Sequence, residues 1–471
     1  MVDDTTRLVR GRWRETALWT LVAALLVAWL ARKGITTYFF AEAFAYLHSY
    51  REAGDSFLGA LVRPHALIFF RPSIWAVNLA WNLVAPPDAL LYHLRNLTFI
   101  VLNALLLHRL LLRLVPDRFG RAVAMAFYAI SKVHLTTIGY VATFSTILLL
   151  FATLFMFLAF CRWLEERRRV DLVGTIFFAA FLVFSKDYGA VAVILLPFLA
   201  WARGAEVRSA VRPFVIPLVS LIVLYAGIRA WVAPAPPHGL YEPRVDARVF
   251  ARKTVQAATT LANLSLFETE GRTGARGLTR LVWPDDSRDG RVAEGIVLLA
   301  FFAFLGALLW RARPPFALIA FCVAWGGLFF APTLLGRNEQ LYYHNDLVAA
   351  AAVLLGASAR MWRPLIAGVL VALALNAEVS QRSMRYSWYD LSEALRPLEG
   401  IVANYRTVPV TSVVFIAGDP APWDFALRSG PLVETLFGRP ELEVRVVGRG
   451  EDGWGEGALV IDVDRGFEVR R

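Results

Sequence analysis

Glu42 is the only carboxylate in the apolar stretch Phe39-Phe40-Ala41-Glu42-Ala43-Phe44-Ala45-Tyr46, and helical spacing puts Tyr46 and Tyr50 on its face. An acid so placed accepts a proton, as a general base does. Two structural roles compete with that reading: ending a surface helix, or pairing with Arg71. Asp55 is the next acid, and reads as a second base or as a solvated loop residue. Arg71, Arg95, Lys186 and Arg337 stand at the ends of apolar segments. A long basic side chain there either snorkels to the membrane interface or, because arginine's planar fork matches phosphate oxygens, holds a phosphate. His48, His65, His93, His134 and His344 fall at comparable places. No two of them share one helix at i,i+4 with a third ligand nearby, so no zinc site is expected, which leaves hydrogen bonding or substrate positioning. Asp187, Tyr343, His344 and Asp346 are polar groups at helix starts that contact a substrate or pack. Asp285 and Asp286, after Trp283-Pro284, read as a polar turn or a cation site.

The elements carrying these groups are membrane helices. Of the 471 residues, 57% are hydrophobic and only 18% are charged, against roughly 25% charged in a soluble domain. Some eleven apolar segments, near 16–32, 92–114, 121–138, 143–163, 171–186, 188–202, 213–232, 291–310, 315–335, 345–360 and 364–378, are read as spans. The arginines sort by alternate connections: Arg7, Arg10, Arg12 and Arg14, then Arg113, Arg118 and Arg121, then Arg162 and Arg167 to Arg169. Arg203, Arg208 and Arg212, Arg311 and Arg313, and Arg360 and Arg363 continue the series. The positive-inside rule therefore places residues 1–15 in the cytoplasm and the C-terminus outside, in a multi-pass plasma-membrane protein. The first apolar run is read as a span and not as a cleaved signal peptide. The net charge of +11 lies in these short connections, which argues against nucleic acid as a partner. Cys161 and Cys322 sit in or beside apolar runs and are expected buried and unpaired.

Two outside connections are long, 33–91 and 233–290, so chemistry is expected there. The first holds helical stretches at Tyr38–Tyr50 and Ser73–Val84, with Trp75 and Trp81 suited to the headgroup boundary. The second holds a helix near 246–266. After the transmembrane domain, 16–378, residues 379–471 turn polar. Strands are predicted at Val410–Ile416, Leu442–Val447 and Ala458–Val463 and helices at 387–405 and 423–437, a small soluble α/β domain.

Several stretches together resemble the GT-C superfamily of membrane glycosyltransferases, in particular its bacterial branch of protein mannosyltransferase-like and aminoarabinose transferase-like proteins. They are the Glu42 stretch beyond the first span, Phe70-Arg71-Pro72, Tyr92-His93-Leu94-Arg95-Asn96, Phe127-Tyr128-Ala129-Ile130 with Val133-His134, Ser185-Lys186-Asp187, and Leu341-Tyr342-Tyr343. The resemblance implies an all-α polytopic fold of about eleven spans and transfer of one sugar from a polyprenyl-phosphate donor to a glycan, lipid or protein acceptor outside the cytoplasm. It implies Glu42 as the general base of an inverting displacement, with Asp55 as a second acid, and Arg71, Arg95, Lys186 and Arg337 as donor-phosphate ligands. Tyr46, His65, His93, His134, Asp187, Tyr343 and His344 are the implied substrate contacts. The usual second aspartate of the family's Asp-Asp pair is Ala43 here. That removes a ligand from the divalent cation some relatives use, so no cofactor is expected; an inactive scaffold or, less readily, a transporter are the other readings.

Overall fold

The structure is a computed structural model and describes residues 2–32, 34–37, 70–85, 88–233, 246–264, 288–335, 341–360, 362–384, 395–405, 407–420, 423–424, 427, 432–437, 439, 442–450 and 457–470. Helices occur at every one of the predicted spans. They are α1 (Val2–Ala31), α3 (Ala89–Leu114), α4 (Arg118–Ala129) with α5 (Val133–Gly139), α6 (Phe144–Glu166), α7 (Arg169–Val183) and α8 (Val191–Ala202). The series continues with α9 (Val207–Val232), α11 (Arg288–Ala312), α12 (Phe316–Leu335), α13 (Asn345–Ser358) and α14 (Arg363–Met384). Outside this series lie α2 (Pro72–Val84) and α10 (Ala247–Leu261), where helices are predicted in the two long connections. Among the described residues six helices are long and apolar enough to cross a bilayer alone, or seven with α4 and α5 taken as one span bent by 48°. Two further apolar segments, α13 and Asp187–Ala202, are shorter.

Local chemistry sets the helix ends. Asp88 caps α3 by accepting from the Leu90 and Leu91 amides, Asp117 caps α4 through Gly120, and Asp246 caps α10 through Arg248 and Val249. Pro72 opens α2, where its missing amide hydrogen is not needed. Apolar faces of α9 and α11 are left outward, with Ile216, Leu299, Trp231 and Trp310 each more than 70% exposed. In a protein whose solvent is lipid, such faces need no partner.

Arginine-rich connections meet at one end of the bundle. Glu15 of α1 receives Arg121 Nε at 2.7 Å and lies 3.6 Å from Arg118, Glu165 of α6 joins Arg113 of α3 and Arg203 after α8, and Arg162 pairs with Asp171 of α7 at 2.9 Å. Arg363 of α14 stands 3.9 Å from Asp117. The Glu15 and Arg121 side chains are only 11% and 8% exposed, so removing the carboxylate strands a buried cation. Glu15→Ala is therefore expected to destabilise the protein by about 3 kcal/mol, whereas Glu378→Ala, which opens the Arg32 pair at the other end (Arg32 40% exposed), is expected to cost under about 1 kcal/mol. Thermal unfolding in detergent measures both.

The C-terminal part contains α15 (Leu398–Tyr405), β1 (Ser412–Ala417), α16 (Leu432–Phe437), β2 (Glu443–Gly448), β3 (Ala458–Asp462) and β4 (Glu468–Arg470). Strand order is β2-β1-β3-β4, the first three parallel, with Val413 beside Val444 and Leu459. The antiparallel strand β4 has no counterpart among the predicted elements. Central β1 is buried along nearly its whole length, as its run of Val, Phe and Ile requires. One face of the sheet, through Val413 and Phe415, shares a single apolar cluster with Leu395, Leu398, Tyr92, Tyr140 and Val141. The sheet unit is thus packed onto the end of the bundle opposite the arginine network.

Candidate functional site

The sheet-capped end of the bundle gathers most of the sequence-nominated groups that the structure describes. Lys186 follows α7 and precedes the 3-10 turn Asp187–Ala190. Gly189 permits this turn: an added Cβ would collide with the Leu182 carbonyl oxygen. Although only 3% exposed, the lysine places Nζ 5.4 Å from the Tyr188 ring and 5.1 Å from the Tyr343 ring, and donates to the Tyr188 hydroxyl at 3.2 Å. Aromatic faces of this kind stabilise a cation that has left water.

Asp187 turns the other way. Its Oδ1 accepts from Tyr225 Oη at 2.6 Å and from Arg229 Nε at 3.1 Å, and the same Tyr225 hydroxyl lies 3.3 Å from the Phe70 carbonyl. That contact seats the start of α2, and Arg71 with it, against α9. Lys186, Asp187 and Arg229, with Arg71 next to the Phe70 carbonyl, therefore form one mixed-charge centre beside Tyr188, Tyr225 and Tyr343.

Arg95 is held by a different set of groups. Its guanidinium lies 3.8 Å over the Phe144 ring, 4.8 Å over Tyr92 and 5.8 Å over Trp81, with Nη1 donating to Asn78 Oδ1 at 2.7 Å. The arrangement ties α2 to α3 and α6. His93 is fully buried, with Nδ1 2.6 Å from the Ile138 carbonyl and Nε2 3.0 Å from that of Thr37, so it joins the chain after α1 to the broken span. His134 has Nε2 2.8 Å from the Tyr128 carbonyl and its ring edge-on to Tyr128. His344 has Nδ1 2.9 Å from Thr260 Oγ1 of α10. Burial pushes this imidazole down to about 3, and Lys132 and Lys253 push it the same way, so it is neutral at ordinary pH.

Glu42, Tyr46, Asp55, His65 and Arg337 lie outside the described residues, as do the stretch Tyr38–Tyr50 and Asp285 and Asp286. Among the described residues, no group of three or more His, Cys, Asp or Glu side chains is placed to hold a metal ion. Both cysteines are buried and free, as expected.

Reading the sequence missed several members. Tyr188 was legible as the third residue of Lys186-Asp187-Tyr188. Arg229 and Tyr225 sit near the end of an apolar helix and carry no signal until Asp187 folds against them. Lys132 and Lys253 are each only 2% exposed. Lys132 sits at the break between α4 and α5, where its amide donates to Asn263 Oδ1 at 2.9 Å and its ammonium to the Leu264 carbonyl. Lys253 donates to the Thr333 carbonyl near the end of α12. Cations at helix C-termini complement the carbonyls there. The buried face of α10 is polar, with Lys253, Gln256, Thr259 and Thr260, while Phe250 faces out; a lysine inside an amphipathic pattern was the available clue.

No family model and no curated protein matches the sequence. Among solved structures the chain is similar to ArnT from Cupriavidus metallidurans bound to undecaprenyl phosphate, at 11% identity and TM-score 0.50, over 92% of this chain and 86% of that one. It is also similar to the Archaeoglobus fulgidus oligosaccharyltransferase in the apo form, at 15% identity and TM-score 0.46. This chain is covered over 91% there, but spans only 64% of the longer protein. At such identities a likeness across nearly the whole chain speaks for the fold. The match to ArnT extends over 92% of this chain, and the chain shares the fold of that membrane protein.

Proposed function

We propose that the protein transfers a single sugar from a polyprenyl-phosphate donor to a glycan, lipid or protein acceptor outside the cytoplasm. The mixed-charge centre of Arg71, Lys186 and Asp187 carries this reading, because it stands at the end of the bundle opposite the arginine network. With that network in the cytoplasm, the centre lies where a carrier lipid with its tail in the bilayer presents its headgroup. The carrier's tail and the acyl chains of membrane lipid are then the natural partners of the outward apolar faces.

The chemistry follows from charge. Glu42 takes the proton of the acceptor hydroxyl, the oxygen attacks the anomeric carbon from the face opposite the phosphate, and the bond from that carbon to the phosphate oxygen breaks with inversion. The leaving polyprenyl phosphate goes from a diester with one negative charge to a monoester that gains a second. Cations fixed beforehand near those oxygens stabilise the transition state more than the bound donor. Arg71 and Lys186 fill that role, joined by Arg229. Arg95, in its aromatic cage, orients α2 instead of meeting phosphate, and Arg337 is a further candidate ligand. Asp187 orients Arg229, and Tyr343, His93, His134, His344, Tyr46 and His65 line or support the substrate space. The reaction as written needs no metal, since a base and fixed cations supply both the nucleophile and the leaving-group stabilisation.

One observation favours a second reading: Ala43 stands where relatives carry an aspartate, as in a GT-C scaffold that has lost activity. The purified protein in liposomes, given polyprenyl-phosphate-sugar extracted from its host membranes, separates the two. Wild type is expected to release polyprenyl phosphate, and Arg71→Ala and Lys186→Ala each to slow release by roughly a hundredfold. Equal rates in wild type, both variants and empty liposomes would leave the scaffold reading standing.

A further inference from the structure

Not every arginine at the network end of the bundle meets a carboxylate as closely as Arg121, Arg203 and Arg162 do, at 2.7, 2.9 and 2.9 Å. Three stretches around helix ends, 115–118, 311–315 and 359–363, carry Arg118, Arg311, Arg313, Arg360 and Arg363 against the single acid Asp117. All five arginines are exposed. Two of them rest on aromatic rings: Arg311 at the end of α11 lies 5.7 Å over Trp362, just before α14, and Arg363 of α14 lies 5.0 Å over Phe119 of α4. Arg363 Nη2 stands 3.9 Å from Asp117, and Arg118 is 3.6 Å from Glu15, whose closer partner is Arg121. These contacts draw the three stretches together. Beside them the outward faces of α11 and α14 are apolar, with Leu299, Trp310, Leu365 and Val371 each more than half exposed.

We propose that this end of α4, α11 and α14 is a binding site for one anionic phospholipid, its phosphate met by Arg311 and Arg363 and its acyl chains laid along the outward faces of α11 and α14. Charge decides the class of occupant. Five guanidinium groups beside one carboxylate leave a surplus of positive charge, and the Trp362 and Phe119 rings orient two of them without neutralising them. Arginine's planar fork then pairs with phosphate oxygens, and the start of α14 adds the positive end of a helix dipole. A basic cluster beside an apolar surface is how anionic lipid is recognised. A zwitterionic phospholipid offers the same chains, but its own ammonium offsets the phosphate; a soluble phosphate has no chain to lie on α11 and α14. The site is at the opposite end of the bundle from Lys186, so the inference stands apart from the transferase reading.

The test titrates the full-length protein in detergent with phosphatidylglycerol, with phosphatidylcholine of the same acyl chains as control, and reads bound lipid by native mass spectrometry. Wild type is expected to hold phosphatidylglycerol about tenfold or more tighter than phosphatidylcholine. Arg311→Gln and Arg363→Gln are each expected to weaken phosphatidylglycerol about fivefold, and about twenty-five-fold together, with phosphatidylcholine unchanged. Arg168→Gln is the control. That arginine is exposed at the same end but already meets Glu166 at 2.6 Å, so its loss is expected to stay under about twofold. A loss in Arg168→Gln equal to that in Arg311→Gln would show a diffuse attraction to the whole basic end and overturn the site. Equal binding of the two lipids by wild type would overturn it as well, and so would displacement of phosphatidylglycerol by an equal concentration of glycerol 3-phosphate, the mark of a site for soluble phosphate. Should Arg311→Gln or Arg363→Gln not fold, Arg313→Gln and Arg360→Gln carry the same comparison, with about threefold expected of each; no loss in either would also overturn the proposal. No sugar donor enters these measurements, so the transferase reading stands or falls separately.

Discussion

Gly120→Ala is expected to remove most of the folded protein, by about 3 kcal/mol or more, and Gly356→Ala to approach it. Gly120 on α4 and Gly356 on α13 cross face to face. A Cβ on Gly120 would collide with the Gly356 carbonyl oxygen, and one on Gly356 would stand 2.7 Å from the Gly120 oxygen and 2.9 Å from Ala124 Cβ. Neither helix backbone can give way, since α4 also packs on α1 and α3 and α13 on α6 and α12. Close crossings through small residues are a principal means of helix association in lipid, where no hydrophobic force drives helices together. Gly306→Ala on α11, where an added Cβ meets nothing within 4 Å, is the control, expected to change stability by less than about 1 kcal/mol. Yield of monodisperse protein and the midpoint of thermal unfolding measure all three. If Gly120→Ala melts with wild type, the α4–α13 crossing described here is wrong.

Glu42→Gln is expected to lower sugar transfer by about a thousandfold while leaving binding of polyprenyl phosphate within about twofold. Glutamine keeps the shape and the hydrogen-bonding reach of the side chain but does not accept the acceptor's proton at neutral pH. The loss therefore falls on kcat and not on KM, the mark of an interaction made only in the transition state. Glu42→Asp is the sharper probe. The shorter side chain draws the carboxylate back by about one bond, or roughly 1.5 Å, which is enough to cost a large factor if this chain has fitted its acceptor to glutamate. Transfer retained in Glu42→Gln would remove the base from the mechanism, and Asp55 would be the acid to replace next. The parallel cellular measurement is a glycan profile of host cells lacking the wild-type protein, complemented with each variant: the loss of one specific sugar in Glu42→Gln marks an enzyme, and an unchanged profile marks a scaffold.

The two sets of variants separate assembly from chemistry. Gly120, Glu15 and Arg121 govern whether the bundle forms, through backbone approach and through a buried ion pair. Lys186, Arg71 and Glu42 are the residues on which the proposed transfer depends.

Membrane helices, their order and the sorting of arginines were legible from the sequence because each is local. An apolar run of sufficient length must be helical in lipid, where every backbone amide has to be satisfied within its own segment. Helices occur at the eleven predicted segments, and of the loop helices those predicted at Ser73–Val84 and near 246–266 occur at Pro72–Val84 and Ala247–Leu261, while Tyr38–Tyr50 lies outside the described residues. The central parallel strand was equally visible, as a short run of Val, Phe and Ile buried on both faces. Lys186 and Asp187 could be nominated because charges next to apolar runs are conspicuous. Which charges meet was not local, and only the tertiary structure decided it. Arg71, the pair Lys186 and Asp187, and Arg229 come from three separated stretches of chain, and their convergence depends on how α2, α7 and α9 pack. The same packing put Arg95, indistinguishable from Arg71 in sequence, into a cage of Phe144, Tyr92 and Trp81. It also bent the third span at Lys132, whose amide and ammonium find their partners more than a hundred residues away, at Asn263 and Leu264. Hydropathy along a chain records what each segment needs from its solvent, whereas a site depends on distances between segments, which no single segment contains.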